Sequence, residues 1–452
     1  MKRPLAMLAL AALVACGAPQ PSGPTVSEAL YPEDLPAGHE RPPRERAGET
    51  RDVTARERAA IGRLSRIAER VRGLRFRHEV PVQVQDPEAI MAYVDSQIED
   101  QELQRARTVY VALGLLSPDL DVRSLLLRLM GEQIVGYYDS DAGNLVVRDD
   151  VMRAFGGAEG EEVDLDEARI VLVHELVHAL QDQQLSLSAN LEGARTTDAE
   201  NAFRALVEGD ATLAMIGFAL EGERVPLSHL TMDAARIHNL SEMVRGSPLT
   251  GSELTNAPAI VRVPLLSAYV DGLSFAANLH GSGGWGKVDR AHAEPPESTE
   301  QVLHPARFAR REAPERLKLR GAEGLLGEGR ELVYEDTLGE LEVSVYFRLG
   351  ASPPEAARGA EGWGGDRLYA FERPDGGSAL VWLMTWDSEA EAREAQALAE
   401  TAVKATPAGQ PRSHRVERRG RALLVLRHVT PELQDPVVER FAEWARATKR
   451  AD

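Results

Sequence analysis

Ile170-Val171-Leu172-Val173-His174-Glu175-Leu176-Val177-His178-Ala179-Leu180 decides how this chain is read. The run has no proline, and Glu175 is its one acid, with no Lys or Arg for company. So continuous an apolar segment predicts a buried helix. Asp164 and Glu167 form a start signal of the capping-box kind, and Asp166 adds negative charge in the first turn. Gln181-Asp182-Gln183-Gln184 reads as the return to water. Residues four apart on a helix share a face, so His174 and His178 can grip one metal ion together. Glu175, next in the turn, is placed to take a proton from a water held there. The residue types suit that chemistry, because neutral imidazole is a good zinc ligand and zinc brings the pKa of a bound water down to about 7. The plain alternative is two core histidines and a chance glutamate. It leaves a carboxylate buried without a partner, which is costly.

Catalytic zinc usually takes three protein ligands and keeps a position open. Glu208 is the best third candidate. It lies in Ala205-Leu206-Val207-Glu208-Gly209-Asp210-Ala211, within a second expected helix over about 198–220. It shares a stripe with Ala205, Ala211 and Met215, unusual company for a solvated glutamate. Gly209 lets another backbone come close, at some cost in helix propensity. The bland reading pairs an exposed Glu208 with Arg204 one turn back. Glu200 and Glu221 are weaker candidates, and Asp210 is placed to hold a histidine ring from behind.

With these residues the chain resembles the gluzincin-like zinc metallopeptidases, in which a helix carries H-E-x-x-H and a glutamate on a later helix completes the site. The resemblance covers His174 to His178 and extends to Glu208 and its surroundings. It implies a zincin-like fold, zinc as cofactor, peptide bonds as substrate, and an edge strand before the metal helix that pairs with extended substrate. Ile134 to Asp139 and Asn144 to Val147, flanking the turn Ser140-Asp141-Ala142-Gly143, read as the corresponding hairpin. The same hairpin is equally well read as plain packing. The family often has an acid four residues after its third ligand; here that position is Thr212 and the acid is Asp210.

The N-terminus is read separately. Met1-Lys2-Arg3 is basic, Leu5 to Val14 is apolar, and Leu13-Val14-Ala15-Cys16 has the form of a lipobox. The expectation is a lipoprotein signal over 1–15, cut before Cys16, whose thiol then carries lipid. Cys16 is the only cysteine of the chain, so it has no disulfide partner within it. An ordinary secretory signal or a short anchor is the alternative, although the run is too short for a comfortable span. Gly17 follows the cysteine. The absence of an Asp there favours the outer membrane, facing the periplasm. Residues 16–50, rich in proline, read as a disordered spacer. A net charge of −19 makes nucleic acid an unsuitable partner.

The expected fold class is α+β: a mostly helical zincin-like metallopeptidase domain over 51–320 with an edge hairpin, then a small α+β domain over 325–452 of unassigned role. In the latter, strands are expected at 367–372, 379–386 and 421–428 and helices at 388–404 and 431–448, with Gly362-Trp363-Gly364-Gly365-Asp366 as a turn. Between the parts, the Gly, Trp, Pro and His density around 283–305 suggests a loop beside the cleft. Tyr269 and His304 are candidates to donate to the oxyanion that hydrolysis develops, against the commoner structural use of both types. No nucleophile elbow and no phosphate-binding loop is present, and the lone Cys16 leaves no cysteine for catalysis. The expectation is a lipid-anchored zinc metallopeptidase of the cell envelope acting on peptides or proteins. Its rivals are a partner-binding lipoprotein without activity and a zinc amidase acting on cell-wall amides. The oligomeric state is not legible.

Overall fold

The computed structural model describes residues 50–447 apart from 132–133, 158–162, 188–189, 191–192, 222–223, 246–251, 327–329, 373–376 and 406–412. The expected signal, Cys16 and all of the spacer except Thr50 lie outside the described residues.

The fold is α+β and mostly helical. Its first part begins with Thr50–Arg51 (β1), Ala55–Arg72 (α1) and Val82–Gln85 (β2). A capping box of Thr54 and Glu57 starts α1, and Gly73 ends it in the left-handed region at φ 77. Three helices over 87–131 lead to the hairpin Gly136–Asp139 (β3) and Asn144–Arg148 (β4). The sheet order is β1-β2-β4-β3, with β2 and β4 parallel and the other pairs antiparallel. Strand β3 is therefore at an edge, as the hairpin reading expects.

The apolar run forms Leu165–Leu185 (α2), capped by the Asp164 side chain on the N–H groups of Asp166 and Glu167. The polar tail does not return to water where expected: Gln181 is fully buried and Gln183 nearly so. A neighbouring helix covers Gln181 through Val207 and Asp210, and the loop at Arg77 and His78 covers Gln183. Beside it lie Thr197–Glu221 (α3) and Ala259–Gly283 (α4). Helix α4 is apolar and long enough to cross a membrane, but 56% of its apolar window is buried inside this fold, as in the core helix of a globular body. Trp285–Ala293 (α5) and Thr299–Leu303 (α6) follow.

The second sheet is antiparallel throughout, in the order β5-β6-β7-β9-β8: Leu332–Asp336, Trp363–Glu372, Ser378–Trp386, Ala422–Arg427 and His414–Arg419 respectively. Its helices include Gly339–Phe347 (α7), Glu389–Ala402 (α8) and Pro431–Ala447 (α9). Strands β6, β7 and β9 correspond to the expected ones. Strands β5 and β8 are additions at the two edges, and β8, His-Arg-Val-Glu-Arg-Arg, is too charged to announce itself as a strand. Trp363 to Asp366 are not a turn but the start of β6, with a register shift between Trp363 and Gly365. The glycines serve close approach: a Cβ on Gly365 would stand 2.4 Å from the Glu315 carbonyl oxygen. Side chains alternate across this sheet. Leu368, Trp382 and Val425 face one core, while Phe371, Val381 and Leu424 face another beneath α9. The first of these cores also takes in Val109, Leu113 and Val261, so the C-terminal unit shares its interior with the first part.

Helices α3 and α4 cross at glycines. A Cβ on Gly209 would lie 2.0 Å from Gly272 O, and one on Gly272 would lie 2.2 Å from Ala205 O. Alanine would gain about 1 kcal/mol of helix propensity but force two backbones apart, and overpacking costs up to about 3 kcal/mol or more. Gly209→Ala and Gly272→Ala are each expected to lower the thermal midpoint. An unchanged or raised midpoint would show that the helices are not in backbone contact.

Candidate metal centre

The site is built from two helices. α2 carries His174, Glu175 and His178; α3 carries Glu208. All four residues are at most 4% exposed. His174 Nε2 and His178 Nε2 are 3.0 Å apart, and Glu208 Oε2 lies 3.3 Å from the first and 3.5 Å from the second. These three residues form a buried group that could hold a metal ion. Ligands of a four-coordinate ion at bond lengths of about 2.0–2.1 Å stand about 3.3 Å apart, so the triangle has the right size. Glu208 is thus not the solvated partner of Arg204. Glu221 is on the surface, paired with Arg70 at 2.7 Å, and Glu200 lies outside the triad.

The orientation of the His178 ring follows from its neighbours. Gln181 Nε2 donates to Val207 O and to Asp210 Oδ2, both at 3.0 Å. Two acceptors on that side fix the amide, so its oxygen is what faces His178 Nδ1 at 2.8 Å. Nδ1 must carry the hydrogen, which leaves the Nε2 lone pair toward His174 and Glu208. Electron-rich atoms this close in a dry interior attract positive charge. Toward protons, the same attraction raises His178 to about 9: burial lowers it, and the Glu208 charge more than reverses this. Burial would raise Glu208, but the two imidazoles hold it down at about 2. At His174 burial outweighs the hydrogen bond to Glu208, and with the neighbouring His178 charge it lowers the ring.

Asp210 is an anchor for this arrangement. It does not touch a ring of the triad directly but reaches His178 through Gln181. It also accepts from His292 Nε2 at 3.0 Å and pairs with Arg72 at 2.5 Å, with all three groups fully buried. Burial would raise its carboxyl, but Arg72 and His292 keep it well below the usual range. Arg72 in turn lies 4.6 Å over the Trp285 ring. The segment after Gly283-Gly284 therefore supports the site from behind through Trp285 and His292.

Glu175 is held by the hairpin. Tyr138 N donates to its Oε2 at 2.9 Å, while Oε1 is buried without a hydrogen-bond partner. Burial lifts its carboxyl to about 8. Strand β3 is itself buried, Tyr137 stacks on Tyr93 at 5.5 Å, and its outward N–H at Tyr138 is engaged by Glu175. In this arrangement the strand positions the carboxylate. Tyr269 is brought to the site, its ring 6.2 Å from that of His174 and inclined by 28°. His304 stands apart, with Nε2 2.9 Å from Glu340 Oε1 at the join with the C-terminal unit.

Comparison with known proteins reaches only the C-terminal unit. Residues 329–437 match the family model described as Domain of unknown function (DUF8575). No curated protein and no solved structure matches the chain.

Sequence reading missed Gln181. Its signal was its spacing, three residues after His178 and seven after His174, on the face that carries both rings. Replacing Gln181 by Ala removes the acceptor for His178 Nδ1 and a donor to Asp210. Metal affinity, read by competition with a chelator, is expected to fall about 10–100-fold. Affinity equal to the parent's would mean that the ring is aimed by other contacts.

Proposed function

We propose that the chain is a zinc-dependent peptidase of the cell envelope, with His174, His178 and Glu208 as the metal-holding residues and Glu175 as the group that moves the proton. The observation that carries this reading is the triangle of donor atoms with sides of 3.0, 3.3 and 3.5 Å. The unpartnered oxygen of Glu175 supports it further. Zinc held there would supply a Lewis acid that polarises a carbonyl and acidifies a water.

The chain's own groups do the rest. With Oε2 tied to Tyr138 N, Glu175 is held in one orientation and presents Oε1 to accept a proton from the attacking water. It then delivers that proton to the departing amine, so the carboxylate is regenerated. Gln181 keeps His178 in the tautomer that binds through Nε2. Of the two groups considered for the oxyanion, Tyr269 is the one beside the triad and is assigned the donor role; His304, bound to Glu340, is left out. Lipid on Cys16 would hold the body at the membrane, with the proline-rich spacer between them.

The test is incubation of the metal-loaded chain with a peptide library and with denatured envelope proteins. Chelator should abolish cleavage. Glu175→Gln should retain zinc while turnover falls by a factor on the order of 10²–10⁴. A Glu175→Gln variant that cleaves as fast as the parent would remove Glu175 as the base. A metal-loaded parent that cleaves neither substrate set would remove the peptidase reading.

A further inference from the structure

The first turn of an α-helix leaves backbone N–H groups without helical partners. In α3, the helix that carries Glu208, the partners come largely from the C-terminal unit. Thr197 N donates to Asp336 Oδ1 at 3.0 Å, and Thr197 Oγ1 donates to Asp336 Oδ2 at 2.5 Å. Asp198 N donates to Thr337 O at 3.0 Å. Ala199 N is capped locally by Thr196 Oγ1 at 3.2 Å. The Asp336 charge also suits the positive end of the helix. One turn on, Asn201 Nδ2 donates to Glu342 Oε1 at 3.4 Å, and Glu342 also accepts from Tyr110. Gly339, at φ +81, brings the C-terminal chain so close that a Cβ there would lie 1.8 Å from Asp198 Oδ1.

These grips fall on the face that matters. Thr197 and Glu208 are eleven residues apart, which at about 100° per residue puts them within about 20° of one another and about 16 Å apart along the axis. Asn201 lies between them on the same side. A helix turned by about 15° carries an atom about 5 Å off its axis through more than 1 Å. Metal sites require ligand distances to hold within about 0.2 Å. Small rotations at the gripped end are thus large errors at the ligand.

We infer that the C-terminal unit of unknown function is a brace for the metal centre. Its Asp336–Gly339 segment caps and clasps α3, fixing the rotation and axial position at which Glu208 Oε2 meets the two imidazoles. Asp336 is a positioning residue that acts through the helix. This inference rests on the metal-binding reading of the triad.

The test uses the full chain and reads metal binding without reference to turnover. Zinc affinity by chelator competition and the visible spectrum of the Co²⁺-substituted chain are compared for the parent, Asp336→Asn, Thr197→Val and Gly339→Ala. Val437→Ala serves as a control, because Val437 is buried in the core on the far face of the sheet. All are measured where circular dichroism shows the chain fully folded. If loss of the cap lets α3 leave its competent position, Asp336→Asn and Gly339→Ala should weaken zinc by about 3–30-fold and change the Co²⁺ spectrum. Val437→Ala should lower the melting temperature and alter neither. Should Gly339→Ala fail to fold, Asp336→Asn and Thr197→Val decide the matter. Variants that melt early like the control yet bind zinc as the parent does would overturn the brace alone. A parent that binds no zinc would overturn the metal reading with it.

Discussion

Two imidazole nitrogens and a carboxylate oxygen face one another across 3.0–3.5 Å in an interior that water barely reaches. Their lone pairs converge, so the set needs positive charge among them, a proton or a metal ion. Much of the surrounding structure follows from keeping these three atoms together: Gln181 behind one ring, Tyr269 against the other, and a second helix brought near enough to deliver Glu208.

Delivery of Glu208 depends on backbone contact. Helix α3 approaches α4 at Gly209 and Gly272 because neither carries a Cβ, and the next residue along, Asp210, meets Arg72, Gln181 and His292. Glu208, Gly209 and Asp210 therefore do three jobs in three consecutive positions: one faces the two imidazoles, one permits the crossing, and one gathers the supporting polar groups. A buried Arg72–Asp210 pair contributes little net stability by itself. Its value here lies in fixing geometry, since it locks α1, α3 and the His178 relay into one arrangement.

The parts of this design that were legible in the sequence are those set by local pattern. The apolar run around His174 and His178, the Asp164 cap and the hairpin before α2 all follow from periodicity and turn residues within a few positions. Glu208 could be singled out because its stripe is apolar. Gln181 carries only the signal of its spacing, which is outweighed because a polar stretch at a helix end looks like a surface until another helix covers it. Asp336 is hidden for a different reason. It sits 139 residues from the Thr197 it caps, and an aspartate at a strand end has many ordinary uses. Strand β8 was missed because an edge strand tolerates charge, and the start of β6 because its glycines, placed for close approach, imitate a turn.

The most direct test of the account is the metal content and X-ray absorption spectrum of the purified full-length chain, beside its His174→Ala, His178→Ala double variant. The expected result is about one zinc per parent chain, nitrogen and oxygen neighbours at about 2.0–2.1 Å with the outer scattering of imidazole, and no retained zinc in the double variant. A folded parent that takes up no zinc, or a double variant that keeps it, would contradict the account.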